Sequence, residues 1–433
     1  MLAVIQKSQL FGEIIIPGSK SHMIRALYFG TLAEGKSVIK NPVESNDALS
    51  CLNICEALGA EIDRNNSESW IVNGVGKKLK PSEYILDVGN SGTTLYLGAG
   101  FASSIDGYSI FTGDEQIRRR PVQPVLDSLK KLGVFAESTR NNGSAPVIIK
   151  GPIKFGKTVI NGLVSAYVSG IVLGCTLSPI DCEVEVENVR EIPYINISLD
   201  WAKTVGLQID ASEDRSKFFI KGNQSVSPFK RAIPGDFSSA AFILIGAAIT
   251  ESEVTLMGLD MNDVQGDKKI ISILQEMGAN IEILNDGIDG IKIKGGSKLK
   301  GTIIDCNEIP DSIPILSILG CCAEGETRLI NIESSRVKES DRPLLMTHEL
   351  SKMGADIKLE KDELVIKKSK LKGAFLNSYK DHRIAMANCI AGLVAEGATI
   401  VDDVETAGVS FPGFENTLKV LGANTSFVQD ILL

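Results

Sequence analysis

Apolar and polar positions along this chain repeat with a period of about seventy residues. Six times an apolar residue is followed by glycine and then by a residue that restarts a strand: Leu58-Gly59-Ala60, Leu132-Gly133-Val134, Val205-Gly206-Leu207, Met277-Gly278-Ala279, Met353-Gly354-Ala355 and Leu421-Gly422-Ala423. The glycine intervals are 74, 73, 72, 76 and 68 residues. Glycine there predicts a left-handed helix stop, a conformation in which a side chain costs energy. A second set of signals keeps the same beat. Ser19, Ser91, Ser165, Asp236, Asp311 and Asp381 each open a helical stretch, at intervals of 72, 74, 71, 75 and 70 residues, and Ser and Asp are good N-caps. Short apolar runs ending at glycine, 70–74, 147–151, 218–222 and 291–295, read as strands.

The first copy reads strand 13–17, helix 19–30 stopping at Gly30, strand 37–40, helix 47–59, strand 60–64 and strand 70–74. This alternation predicts an α/β fold with helices packed on sheets. The period is too long for a solenoid and suits a small subdomain, so 433 residues hold six copies in two domains of three, divided within 223–234. Three equivalent copies closing into one domain would set their opening helices parallel, with the N-termini on one face. Two such faces would enclose a cleft of positive potential that suits anionic substrates.

Composition narrows the function. A net charge of -9 argues against a general affinity for nucleic acid. The longest nearly uncharged apolar run, 237–249, is too short to span a bilayer, and residues 1–18 do not read as a secretory signal. Eight cysteines without a Cys-x-x-Cys, and three histidines, do not fit a zinc site; reduced, mostly buried thiols in a cytoplasmic protein are expected instead. Gly18-Ser-Lys-Ser lacks the frame of a P-loop, and no hydrolase elbow appears.

The candidate chemistry lies at the helix starts and in the loops before the second helices. A lone arginine is usually a solvated surface charge. Lys20, Arg120, Arg342 and Arg383 instead share positions within successive copies, and guanidinium forks suit carboxylate and phosphate oxygens. Asp311 reads equally as a plain N-cap or as a general base among cations. Glu339 stands beside Lys338 in Arg336-Val-Lys-Glu-Ser-Asp-Arg342, and Asp381-His382-Arg383 sets an imidazole between a carboxylate and a guanidinium.

Eight signatures in this order resemble the enolpyruvyl transferase family over essentially the whole length. They are Pro17-Gly-Ser-Lys-Ser-x-x-x-Arg25-Ala-Leu, Gly89-Asn-Ser-Gly-Thr-Thr94, Arg120-Pro121, Pro234-Gly-Asp-Phe-Ser-Ser-Ala240, Val264-Gln-Gly-Asp267, Ile309-Pro-Asp311, Arg336 to Arg342, and Asp381-His-Arg383. The resemblance implies a two-domain inside-out α/β barrel of six βαβαββ repeats, with 21–233 as one domain and 1–20 plus 234–433 as the other. It implies transfer of the carboxyvinyl group of phosphoenolpyruvate to the hydroxyl of shikimate 3-phosphate by a monomer, through a tetrahedral intermediate and without metal or cofactor. Lys20, Gly92, Arg120, Arg342 and Arg383 would hold phosphoenolpyruvate. Lys20, Ser21, Arg25, Ser165, Asp311 and Lys338 would hold the acceptor. Asp311 would be the base, Glu339 the partner in proton transfer at the methylene carbon, and Lys20 and His382 further catalytic groups.

The chain departs from the family pattern at four places. Val409 stands where a cation usually precedes the Ser-Phe-Pro segment, and Tyr96 where an arginine is usual. Ala166-Tyr167 replaces Ser-Gln after Ser165, and Arg190-Glu191-Ile192 replaces the serine before Pro193-Tyr194. Two other readings therefore stay open: an enolpyruvyl transferase with another hydroxylated acceptor, and a non-catalytic binder of phosphorylated ligands. The branch of the family acting on UDP-N-acetylglucosamine fits less well, because 111–124 contains no cysteine.

Overall fold

Two kinds of helix follow from the patterning. Asn46–Ala57, Gln123–Lys131, Ile192–Thr204, Lys269–Glu276, Arg342–Lys352 and Phe414–Val420 bury one side and expose the other. Lys20–Leu32, Gly92–Ala102, Ser165–Cys175, Phe237–Ala248, Ile313–Cys322 and His382–Gly392 are buried almost all round, and a helix of that kind belongs inside a core. The structure, a computed structural model, describes residues 1–284 and 290–429. It divides into one unit of Met1–Ser19 with Pro234–Leu433 and another of Lys20–Ile233, three buried helices in each. The divide falls one residue before the expected 20/21 boundary.

Each unit carries three four-stranded sheets. In each of the six, one edge strand pairs in parallel with its neighbour and the other two pairings are antiparallel. A buried helix supplies the long crossover that a parallel pair requires, as Gly92–Ala102 does between Leu86–Asp87 and Ser109–Thr112.

Two sheets correct the contiguous first copy. The strand expected at 13–17 is Phe11–Ile15, and it pairs with Glu253–Met257, Phe11 opposite Glu253 and Ile15 opposite Met257. Its place beside Lys36–Lys40 is taken by Lys230–Ala232, which lies inside the segment expected to hold the domain boundary. An additional strand, Leu2–Ile5, sits between Thr399–Val401 and Thr425–Val428. The chain's first crossing is pinned where Ser19 N–H donates to Pro234 O at 2.8 Å and Asp236 N–H donates to Pro17 O at 3.0 Å.

All six predicted helix stops, Gly59, Gly133, Gly206, Gly278, Gly354 and Gly422, have positive φ. They end the amphipathic helices. Gly30 does not stop its helix, which runs to Leu32; a Cβ there would meet Val72 at 3.0 Å. The strand-ending glycines serve close approach. A Cβ on Gly74 would lie 2.3 Å from the Gly30 and Ala33 carbonyls, and one on Gly295 would lie 1.9 Å from Thr250 O.

The core of 20–233 is set by large side chains such as Trp70, Trp201, Phe29 and Phe101. Trp201 Nε1 donates to His22 Nδ1 at 3.0 Å, so the buried His22 imidazole accepts at that nitrogen. Helices Gly92–Ala102 and Ser165–Cys175 touch backbone to backbone: a Cβ on Gly100 would lie 1.9 Å from Gly170 O, and one on Gly174 would lie 2.4 Å from Gly100 O. Gly100→Ala should therefore lower stability by about 1–3 kcal/mol or more, since neither helix backbone can yield locally. Denaturant unfolding measures it, and a midpoint equal to that of the parent protein would contradict this packing.

Seven of the eight cysteines are buried, Cys322 is intermediate, and none is in a disulfide. Among the described residues no helix is long and apolar enough to cross a membrane.

Candidate active site

The expected residues fall into two clusters, one in each unit, both at the N-terminal ends of buried helices. In the unit containing 234–429 the three helix starts converge. Asp381 caps His382–Gly392, accepting from Arg383 N–H at 2.9 Å, and Asp236 caps Phe237–Ala248, accepting from Ser239 N–H at 3.2 Å. Arg383 then reaches both other helix starts: its guanidinium donates to Ser238 O at 3.0 Å and lies 3.6 Å from Asp311. Asp311 is not the cap it could have been. It occupies a 3-10 turn, Pro310–Ser312, ahead of Ile313–Cys322, which leaves its carboxylate available for side-chain partners.

Arg342 organises this cluster. It opens the helix Arg342–Lys352, is 1% exposed, and donates to Asp381 through Nε at 2.9 Å, to Asp311 at 2.8 Å and to Glu339 at 2.6 Å. Three carboxylates around one buried guanidinium make a rigid arrangement, because each fixes a different edge of the fork. Burial pulls the Arg342 pKa down, but Asp381, Glu339 and Asp311 raise it above the ordinary arginine value. Burial likewise pushes Asp311 up, and Lys338, Arg383 and Arg342 overcome it, holding the carboxyl well below the usual range. His382 is buried, with Nδ1 4.0 Å from Asp381. Val409 is also buried, and this position supplies no cation.

Motif residues outside the cluster hold it in place. Gln265 accepts from Phe237 N–H at 3.1 Å and donates to Gly235 O at 3.0 Å, while Asp267 accepts from Ser312 Oγ at 3.2 Å. Arg336, a candidate cation, is engaged by Asp341 at 2.8 Å, and Asp341 also caps Arg342–Lys352.

In the unit Lys20–Ile233, Lys20 forms an ion pair with Asp47 at 3.0 Å, both largely buried. Arg25 is buried and spends its donors on Ser198 Oγ at 2.8 Å, Ser21 O at 2.8 Å and Tyr194 O at 3.2 Å; burial lowers its pKa to about 10, so it remains a cation at neutral pH. Ser198 continues to Ser169 at 2.8 Å. Arg120 is 7% exposed and donates to Asn90 Oδ1 at 3.3 Å. A Cβ on Gly92 would lie 2.5 Å from the Arg120 guanidinium, so glycine is what lets that cation lie against the helix start. The two tyrosine departures meet: Tyr96 and Tyr167 pack edge to face at 4.7 Å, and both hydroxyls donate to Pro121 O, at 3.2 and 2.9 Å.

Ser165 differs from the expected N-cap. Val164 is the cap residue, Ser165 is the first helical residue, and its N–H and hydroxyl both donate to Glu191, at 3.0 and 2.7 Å. Sequence reasoning missed the partners Asp47, Ser198 and Glu191. Asp47 had a signal, an acid just after the cap Ser45 of Asn46–Ala57; Glu191 had one as a departure from the family pattern, though not as the partner of Ser165, and Ser198, from a distant element, had none.

The family model described as EPSP synthase (3-phosphoshikimate 1-carboxyvinyltransferase) matches residues 4–418. Among curated relatives, 3-phosphoshikimate 1-carboxyvinyltransferase of Acetivibrio thermocellus is 47% identical over 98% of this chain and 99% of its own. That of Methanocaldococcus jannaschii is 42% identical over 98% and 99%. A solved EPSP synthase from Acinetobacter baumannii superposes with a TM-score of 0.82 at 30% identity, covering 99% of this chain and all of that one. With signatures, sheets and clustered cations in agreement over the full length, the chain belongs to the EPSP synthase (3-phosphoshikimate 1-carboxyvinyltransferase) family.

Proposed function

We propose that this protein is a transferase that moves the enolpyruvyl group of phosphoenolpyruvate to the 5-hydroxyl of shikimate 3-phosphate and releases phosphate, a step of aromatic amino-acid biosynthesis. The observation that carries it is the family match over residues 4–418. Lys20, Arg120, Arg342 and Arg383 take the carboxylate and phosphate of the donor, and Gly92 keeps the space against Arg120 clear. Lys20, Ser21, Arg25, Ser165, Asp311 and Lys338 hold the acceptor.

Asp311 accepts the proton of the attacking hydroxyl, and the methylene carbon of the donor gains a proton through Glu339, with Lys20 and His382 supporting charge. The tetrahedral adduct then expels phosphate and loses a methyl proton to restore the vinyl group. Preorganised cations stabilise the negative charge that develops on the way. The architecture that supports it is six copies of a βαβαββ unit, three in each domain, forming an inside-out α/β barrel. The reduced buried thiols suit a cytoplasmic enzyme.

Incubation with phosphoenolpyruvate and shikimate 3-phosphate should release inorganic phosphate only when both are present. Release only with other hydroxylated acceptors would refute the acceptor, and binding of both ligands without release would refute turnover.

A further inference from the structure

Ser165 is assigned above to hold the acceptor, yet both of its donors are already engaged. Its N–H and hydroxyl converge on one oxygen of Glu191, at 3.0 and 2.7 Å, and the Glu191 residue is 1% exposed. Glu191 itself stands in the left-handed region, φ 54° and ψ 38°, which a glutamate rarely adopts. It does so at the residue preceding the helix Ile192–Thr204, and thereby turns its side chain toward the start of Ser165–Cys175. The helix start has no side-chain cap of its own, since Val164 is the N-cap residue. A helix start with free N–H groups favours an anion, and here the chain supplies one from 26 residues downstream.

We propose that Glu191 is a specificity-determining residue on the acceptor side: its carboxylate holds the two donors that an anionic acceptor needs, so such an acceptor binds in competition with it. The inference rests on the proposed reaction for the identity of the acceptor. It stands on its own as a statement about anion binding at Ser165.

The competition has two parts. The acceptor's anionic group must take Ser165 from Glu191, and any Glu191 carboxylate left nearby repels it, an interaction that is strong in a partly buried site. Removing the charge should therefore tighten binding, the opposite of what loss of a purely structural cap would do.

The test is titration calorimetry of shikimate 3-phosphate, and of inorganic phosphate as a minimal anion, against the full-length parent protein, Glu191→Ser and Glu191→Gln. Both variants should bind shikimate 3-phosphate at least about tenfold more tightly, a modest gain for relief of one like-charge contact. The affinity for phosphoenolpyruvate should stay unchanged. Addition of Ser165→Ala to Glu191→Ser should remove the hydroxyl's share of the gain and keep the share that comes from relief of the like-charge contact. Equal or weaker acceptor binding in the folded variants overturns the proposal, and Glu191→Gln, which keeps size and a hydrogen-bond acceptor, decides it if Glu191→Ser fails to fold. Because the readout is binding, a parent protein that releases no phosphate would count against the reaction and leave this result to be read separately.

Discussion

Arg342→Leu is expected to lower the stability of its unit by about 3–5 kcal/mol, the cost of removing one partner from a buried ionic group. For a unit of this size that is a fall in melting temperature of roughly 6–20 °C, at about 2–4 °C for each kcal/mol. The magnitude follows from what is left behind. Asp381 is fully buried and Glu339 nearly so, and with Asp311 they would face each other across the space vacated by the guanidinium. Leucine cannot answer their charge, and burial then raises carboxylate pKa values.

The sign of the pH dependence separates this from a simple packing defect. In the variant, the buried and uncompensated like charges hold folded pKa values above the unfolded ones, so the deficit is largest at neutral pH and shrinks as pH falls and the carboxylates protonate. In the parent protein Asp311 has the opposite shift, with a folded pKa below the unfolded value. It contributes stability above the ordinary carboxylate pKa of about 4 and loses it as pH falls below that value. Melting curves of both proteins from pH 7.5 to 5 should converge on the acid side; a constant gap would mean that the loss is one of packing alone.

The parts of the fold legible in the sequence were those decided locally. Ser91, Asp236 and Asp381 cap their helices because a short side chain reaches a backbone N–H two or three residues away. The six helix-ending glycines have positive φ for an equally local reason. Pairing was not legible in the same way. Nothing in Phe11–Ile15 itself says that its neighbour is Glu253–Met257 rather than Lys36–Lys40, because both edges accept an apolar strand and the choice lies in tertiary packing. Ser165 and Asp311 were ambiguous for the same reason: their side chains answer to Glu191 and to Arg342, which lie 26 and 31 residues away in the chain. Lys20, Arg342 and Arg383 open helices and Arg120 lies in the loop before Gln123–Lys131, as the repeat suggested, while their degree of neutralisation by Asp47, Asp381 and Glu339 depended on side-chain contacts that no repeat position spells out.

Asp311→Asn should lower kcat by about 10²–10⁴-fold, the usual contribution of a positioned general base, with a much smaller change in the KM for phosphoenolpyruvate. Asparagine keeps the shape and one oxygen for Arg342, so the donor's cations stay in place while the proton acceptor is lost. The ground state sharpens the expectation. Burial raises the Asp311 pKa, but Lys338, Arg383 and Arg342 hold it well below the usual carboxylate range, and a carboxylate so depressed is a weak base. On the proposed assignment of Arg342 and Arg383, donor binding changes that balance: a phosphate and a carboxylate arriving on them would offset their charge, and the Asp311 pKa would rise toward a useful value. The acid limb of kcat, which reports the bound complex, should then lie at higher pH than the acid limb of kcat/KM, which reports the free enzyme. Measured pH profiles with the two limbs coincident, or an Asp311→Asn enzyme that keeps half of its turnover, would remove Asp311 as the base and leave it as an ion-pair partner that only orients Arg342 and Arg383.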